Sequence, residues 1–363
     1  MTFTEVWSVV RPKTADDGDR SALARATIVV LAAALVLTFF FSLASGASDA
    51  SAWRVFLETL GFTSGALEGA DRIVVYGIRF PRAVLGMLIG GALAVSGAIM
   101  QGLFRNPLAD PGIVGVSAGA GLGAVSFIVL QGGALAPAAA IFGIYSIPFA
   151  AFLGGLISTL VLYRISTRQG RTSVATMLLA GIALGALAGA VTGVLVFRAD
   201  DRQLRDLTFW GLGSLAGATW TKNLMAAPLI LPVILALPLM ARGLNALALG
   251  EAAAGHLGVE VQRFKNIAIL CVAAATGASV AVSGGIGFVG IVVPHLLRLL
   301  IGPDHRFLLP ASALLGAILL LFADAIARQI VAPAELPIGI VTAIAGAPFF
   351  LWILLRRRGI LDL

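Results

Sequence analysis

Ala26 to Phe41 reads ATIVVLAAALVLTFFF, sixteen residues without a charge and without apolar–polar alternation. A strand of a membrane β-barrel alternates over about ten residues. A membrane-spanning helix needs about 20 mainly apolar residues, and this run stays apolar or small to Ser45. The segment is therefore a spanning helix. Outward from it the same texture continues: of 363 residues 59% are hydrophobic and 12% charged, with mean hydropathy +1.00. Soluble domains carry about 25% charged residues, so a soluble enzyme, a disordered chain and a nucleic-acid binder are excluded, despite a net charge of +7. Cys271 is the single cysteine, and His256, His295 and His305 are scattered, so neither a disulfide framework nor a metal-ligand spacing is present.

Ten candidate spans follow, at about 26–45, 81–103, 112–131, 145–163, 174–197, 222–241, 265–284, 286–301, 308–326 and 337–355. The fold class is an all-α polytopic membrane protein. Residues 1–25 read as an N-terminal tail, with a short surface helix around Thr4 to Val10, rather than a cleaved signal peptide. Residues 26–355 form one transmembrane domain and 356–363 a C-terminal tail. With both termini cytoplasmic, sixteen basic residues face inward and nine outward, the orientation that the positive-inside rule favours. The outer nine are many for that face and include Arg79, Arg82, Arg198, Arg202, Arg205 and Arg328.

Ala94-Val95-Ser96-Gly97 recurs as Ala281-Val282-Ser283-Gly284, each copy followed by a proline ten residues after its glycine, Pro107 and Pro294. Inverted repeats of this kind are a common plan among transporters. Gly86, Gly90, Gly91 and Gly97 in span two, and Gly181, Gly185 and Gly189 in span five, suit close helix packing. No Gly-Lys dipeptide exists, so the chain has no P-loop and any ATP is bound by another subunit. Two other classes stay open on residues alone. An ion-coupled secondary transporter needs a buried carrier; Asp324 and Glu335 are the candidates, although both sit near span ends where a cap or an Arg328 partner suits them better. A magnesium-dependent membrane enzyme would use Asp200, Asp201 and Asp206, but Arg198 to Arg205 reads equally as a solvated, mixed-charge loop with no second acidic cluster. The loop Arg105-Asn106-Pro107-Leu108-Ala109-Asp110-Pro111-Gly112 interrupts the helices twice with proline, and Gly250 to Gly258 reads as a short small-residue helix able to fit a groove on another protein.

These motifs, with Arg79-Phe80-Pro81-Arg82, Gly90 to Gln101, Gly284 to Gly290, Pro294-His295-Leu296-Leu297-Arg298, Glu335-Leu336-Pro337-Ile338-Gly339 and Gly346-Ala347-Pro348-Phe349-Phe350, resemble the permease subunits of type II ABC importers for ferric siderophores, haem and vitamin B12. They run in family order from about residue 75 to 355. The resemblance implies ten helices in two inverted halves and a homodimer in the bacterial inner membrane, surrounded by lipid. It implies two copies of a cytoplasmic ABC ATPase that carry the ATP and magnesium, and a periplasmic substrate-binding protein. No cofactor or metal is implied on this chain, and no nucleic acid. By the same resemblance Arg79, Arg82 and Arg328 match arginines that dock the binding protein, and Asn106, Leu108, Thr172 and Ser173 fall at the cytoplasmic gate. Gly250, Glu251, Ala252, Ala253, Gly255, His256, Leu257 and Gly258, within a segment of about 248–262, match the helix that couples to the ATPase. Pro294-His295-Arg298 suggests a helix-breaking packing role. Residues 205–215 look most like the haem branch, with Arg198, Arg202 and Arg205 placed to receive its propionates; ferric siderophore is the next substrate and vitamin B12 the third.

Overall fold

A computed structural model of the chain describes residues 19–46, 69–168, 171–331 and 334–356. The helix expected around Thr4 to Val10 and the tail 357–363 lie outside them. Each of the ten expected spans coincides with a helix or a broken helix, and the breaks have local causes. Helix α1 (Ser21–Ala44) starts five residues earlier than expected, with the Asp19 carboxylate accepting the Ser21 amide at 2.8 Å just ahead of it. A wider-wound stretch (Ile73–Arg79) leads directly into α2 (Phe80–Leu103). Helix α3 (Val116–Leu130) follows one tight turn at Pro111–Val114 and a left-handed Gly115. The fourth span comprises α4 (Ala136–Phe142) and α5 (Ser146–Ser166). A two-residue hairpin, β1 (Thr167–Arg168) with β2 (Arg171–Thr172), connects it to α6 (Val174–Phe197).

Residues 198–205, expected as a loop, contribute the N-cap and the first five residues of a further helix, α7 (Asp201–Gly211). Asp200 accepts the Gln203 amide while the Gln203 side chain returns to the Asp200 amide. This reciprocal capping box sets the helix start, and it gives Asp200 a structural duty in place of the magnesium-binding one considered above. The sixth span is α8 (Trp220–Leu235) and α9 (Leu237–Ala248), bent by 55°. Pro238 cannot donate to the Ile234 carbonyl one turn back, which accounts for the bend. Then come α10 (Glu251–His256), α11 (Val261–Ser283), α12 (Val289–Ile301), α13 (His305–Gln329) and α14 (Ile338–Arg356). At about 1.5 Å per residue, the 13 residues of α12 cover only part of a bilayer. Its start is fixed by the positive φ of Gly284 and Phe288, which ends α11 and delays the next helix.

Helix α2 is the centre of the bundle: twenty of its 24 residues are buried, and it packs against α13, α11, α12 and α8. The small residues explain the closeness. A Cβ on Gly97 would overlap the Gly290 carbonyl of α12, and one on Gly90 would overlap that of Gly316 in α13. The span-two glycines therefore serve close helix packing. Gly185 and Gly189 of α6 do not within this chain, since nothing lies within 4 Å of a Cβ built on either. Gly97 and Gly284 do not occupy equivalent places, the first lying inside α2 and the second at the α11 C-terminus.

Pro294 does not break α12, contrary to the helix-breaking role expected of it. A proline inside a helix leaves the carbonyl four residues back without a donor, here that of Gly290. The Gln101 side-chain amide supplies one at 3.2 Å, and Arg298 in turn donates to the Gln101 carbonyl oxygen. His295 is buried, edge-on to Phe349 at 6.5 Å between ring centres.

Candidate functional site

The residues singled out in the sequence gather at the two ends of α2, which at about 1.5 Å per residue are about 36 Å apart. At its N-terminal end Arg79, Arg82 and Arg328 are all buried, at 4%, 6% and 6% exposure. Arg82 forks onto Asp324 at 2.8–3.1 Å and places its third nitrogen 2.9 Å from Glu335. Arg328, one helical turn after Asp324, lies 3.1 Å from the second oxygen of that carboxylate. Its other nitrogens donate to the Ser42 and Ser45 carbonyls and to the Ser42 hydroxyl. Arg79 donates to the Leu43 carbonyl at 2.9 Å. Five elements of the chain thus meet on one charge network, and the α1 C-terminus, whose last carbonyls have no intrahelical donors, is closed by arginines from α13 and from the stretch before α2. Two positive groups clasp the Asp324 carboxylate. It is a counter-ion, which leaves the carrier role of a secondary transporter without its best candidate.

At the other end, the 105–112 loop turns on itself. Asn106 accepts the Leu108 amide at 2.9 Å, Arg105 adopts φ 49°, and Asp110 caps the turn at Pro111 by accepting the Gly112 amide at 2.7 Å. Burial raises the Asp110 pKa, and the Gly112 hydrogen bond opposes that shift. Gly250, with φ 110°, comes within 4 Å of the Arg105 guanidinium through its Cβ direction, so α10 sits beside this loop. Helix α10 occupies the expected coupling segment and exposes Glu251, His256 and Leu257. Thr172 and Ser173 lie at the hairpin. Ser173 closes it by donating its amide to the Ser166 carbonyl at 2.9 Å, and its hydroxyl caps α6.

Arg198, Arg202 and Arg205 are exposed on and before α7. That helix is held by Gln203, which donates to the Val129 carbonyl at 3.3 Å, at the end of α3 opposite the 105–112 loop. After α7, the chain seats in the break between α11 and α12: the Ser214 amide reaches the Ser283 carbonyl at 2.7 Å, and Gly339 donates to Gly213. Gln262 and Lys265 hold the hairpin and Lys265 joins it to α10, a connection for which the sequence offers one sign only: Lys265 is one of three lysines and stands at the start of an apolar run.

Against known proteins, the profile of the FecCD transport family matches residues 34–356. The chain belongs to that family. Among relatives, it is 47% identical over 323 residues to the hemin transport system permease HmuU of Yersinia pestis, covering 89% of this chain and 95% of that protein. It is 45% identical over 287 residues to the cobalamin import permease BtuC of Halobacterium salinarum, covering 79% and 74%. A solved structure described as an inward-facing metal-chelate type ABC transporter superposes with TM-score 0.78 at 31% identity, covering 91% of this chain and 98% of that one. This FecCD chain is therefore a multi-span permease with the type II importer fold, and not itself an enzyme.

Proposed function

We propose that the chain is the permease subunit of a binding-protein-dependent ABC importer that moves haem across the bacterial inner membrane, with both termini cytoplasmic. The observation that carries the substrate is the 47% identity to the Yersinia pestis hemin permease along nearly its whole length. The exposed arginines 198, 202 and 205 suit the two haem propionates, since guanidinium groups offer fixed two-pronged geometry to carboxylates. Vitamin B12 is the second reading, favoured by the identity to the cobalamin permease.

The chain lacks a P-loop, so hydrolysis belongs to two copies of an ABC ATPase, which hold the ATP and magnesium and sit against Gly250 to Gly258. Deleting the P-loop lysine of that ATPase should reduce haem uptake to the level without ATP; undiminished uptake would overturn the mechanism. A second copy of this chain completes the pathway. In support, the apolar window of α6 is only 6% buried and three of its glycines, Gly185, Gly189 and Gly193, stand unpacked. The gate is assigned to Asn106, Leu108, Thr172 and Ser173.

The binding protein docks at the Arg79, Arg82 and Arg328 end, and its carboxylates share or displace the internal acceptors described above. Arg79→Gln should therefore weaken docking severalfold, and more at low salt than at high, as expected of steering pairs. Docking unchanged at every salt concentration would remove Arg79 from that surface.

A further inference from the structure

Lys265 is 4% exposed, although it sits only four residues into α11. Burying an ammonium group is costly unless it is paired and hydrogen-bonded. Here Nζ lies 2.6 Å from the Glu251 carboxylate of α10 and 3.5 Å from the Thr172 carbonyl of β2. One turn earlier, Gln262 accepts the Thr172 amide at 3.0 Å and donates to the Thr172 hydroxyl at 2.7 Å. That hydroxyl is itself 3.0 Å from Thr167 across the hairpin. Thr172 is thus gripped at amide, hydroxyl and carbonyl by two side chains of α11, and one of those two also holds α10.

We propose that Lys265 is a positioning residue that ties the movement of α10 to the hairpin at Thr167–Thr172, so that displacement of the ATPase-facing helix is passed to the start of α6. The inference rests on the reading of α10 as the ATPase contact, and it adds a residue to which neither the family motifs nor the relatives' names give a role. Glu251, at 52% side-chain exposure, is free to move with a partner protein, whereas the lysine is not. If α10 moves alone, Lys265 is left as a buried charge without its carboxylate. That penalty makes the two elements move together.

The test uses the full transporter, permease with ATPase and binding protein, in proteoliposomes supplied with haem, and reads ATP hydrolysed per haem taken up. Lys265→Met should raise that ratio at least tenfold, with hydrolysis persisting while uptake falls. Glu251→Gln should raise it in the same direction, and the double variant should be no worse than Lys265→Met alone, because both remove one interaction. A ratio at the wild-type value in Lys265→Met and Glu251→Gln would overturn the proposal, as would hydrolysis and uptake declining in proportion. Should Lys265→Met fail to assemble, Glu251→Gln at its half-exposed site decides by the same ratio. A wild-type complex without ATP-driven uptake of haem, vitamin B12 or a ferric siderophore would overturn the importer reading itself, and this linkage with it.

Discussion

Replacing Asp324 with asparagine should destabilise the permease by about 3–5 kcal/mol, the range expected when one partner of a buried ion pair is removed. The variant keeps the shape and removes the charge, leaving Arg82 and Arg328 facing a neutral amide at positions only 6% exposed. Glu335 compensates Arg82 in part, at 2.9 Å, whereas the partners of Arg328 are Asp324 and the end of α1, which Arg328 closes. Heat inactivation of the detergent-solubilised chain, followed as a half-life because such unfolding is irreversible, should be much faster in Asp324→Asn. Glu335→Gln should cost less than Asp324→Asn, since Glu335 is 39% exposed and Arg82 keeps its fork on Asp324. Equal half-lives for Asp324→Asn and the wild type would mean that the network does not hold the bundle end together.

A valine at Gly97 should be nearly as damaging. Its Cβ would occupy the place of the Gly290 carbonyl, which is backbone and cannot swing aside. That carbonyl also receives the Gln101 amide in place of the donor missing at Pro294. Separating α2 from α12 therefore breaks a packing contact and a hydrogen bond together, at about 3 kcal/mol or more, the upper end of overpacking costs. Gly121→Val in α3 is the matched control, since a Cβ there meets nothing within 4 Å. In the same solubilised chain it should inactivate at close to the wild-type rate. Comparable losses in Gly97→Val and Gly121→Val would show that the cost is intrinsic to valine in a helix rather than to the α2–α12 contact.

The residues that make these predictions differ in how far the sequence exposes them. The helices were legible because each is a mainly apolar run with few charges, and apolar length is what a bilayer selects. Among the described residues six helices, or seven counting the bent pair α8–α9, are long and apolar enough to cross on their own, while α3, α12 and α14 are shorter apolar helices. The shortness of α12 was not legible, because it depends on the backbone at Phe288 taking a positive φ, which residue type alone does not signal. Asp324 with Arg328 was legible as a pair four residues apart on one helix. The arginine that grips the same carboxylate, Arg82, is 242 positions away, and no local pattern connects the two. Helix α7 was read as a solvated loop on its mixed charge, although Asp200 and Gln203 carry the spacing of a capping box. The small-residue helix at Gly250 to Gly258 was visible in its composition. Its tie to Thr172 through Lys265 was not, because it requires α11, the hairpin and α10 to be placed together.

ATP drives haem import through this permease in the proposed reading. That import is tested most directly by uptake into liposomes holding the purified permease with its ATPase, with the binding protein added outside and haem compared with vitamin B12 and a ferric siderophore. ATP-dependent accumulation of haem well above the other two is expected. Accumulation of vitamin B12 or a siderophore in preference to haem would contradict the substrate, and ATP-independent accumulation of haem would contradict the mechanism.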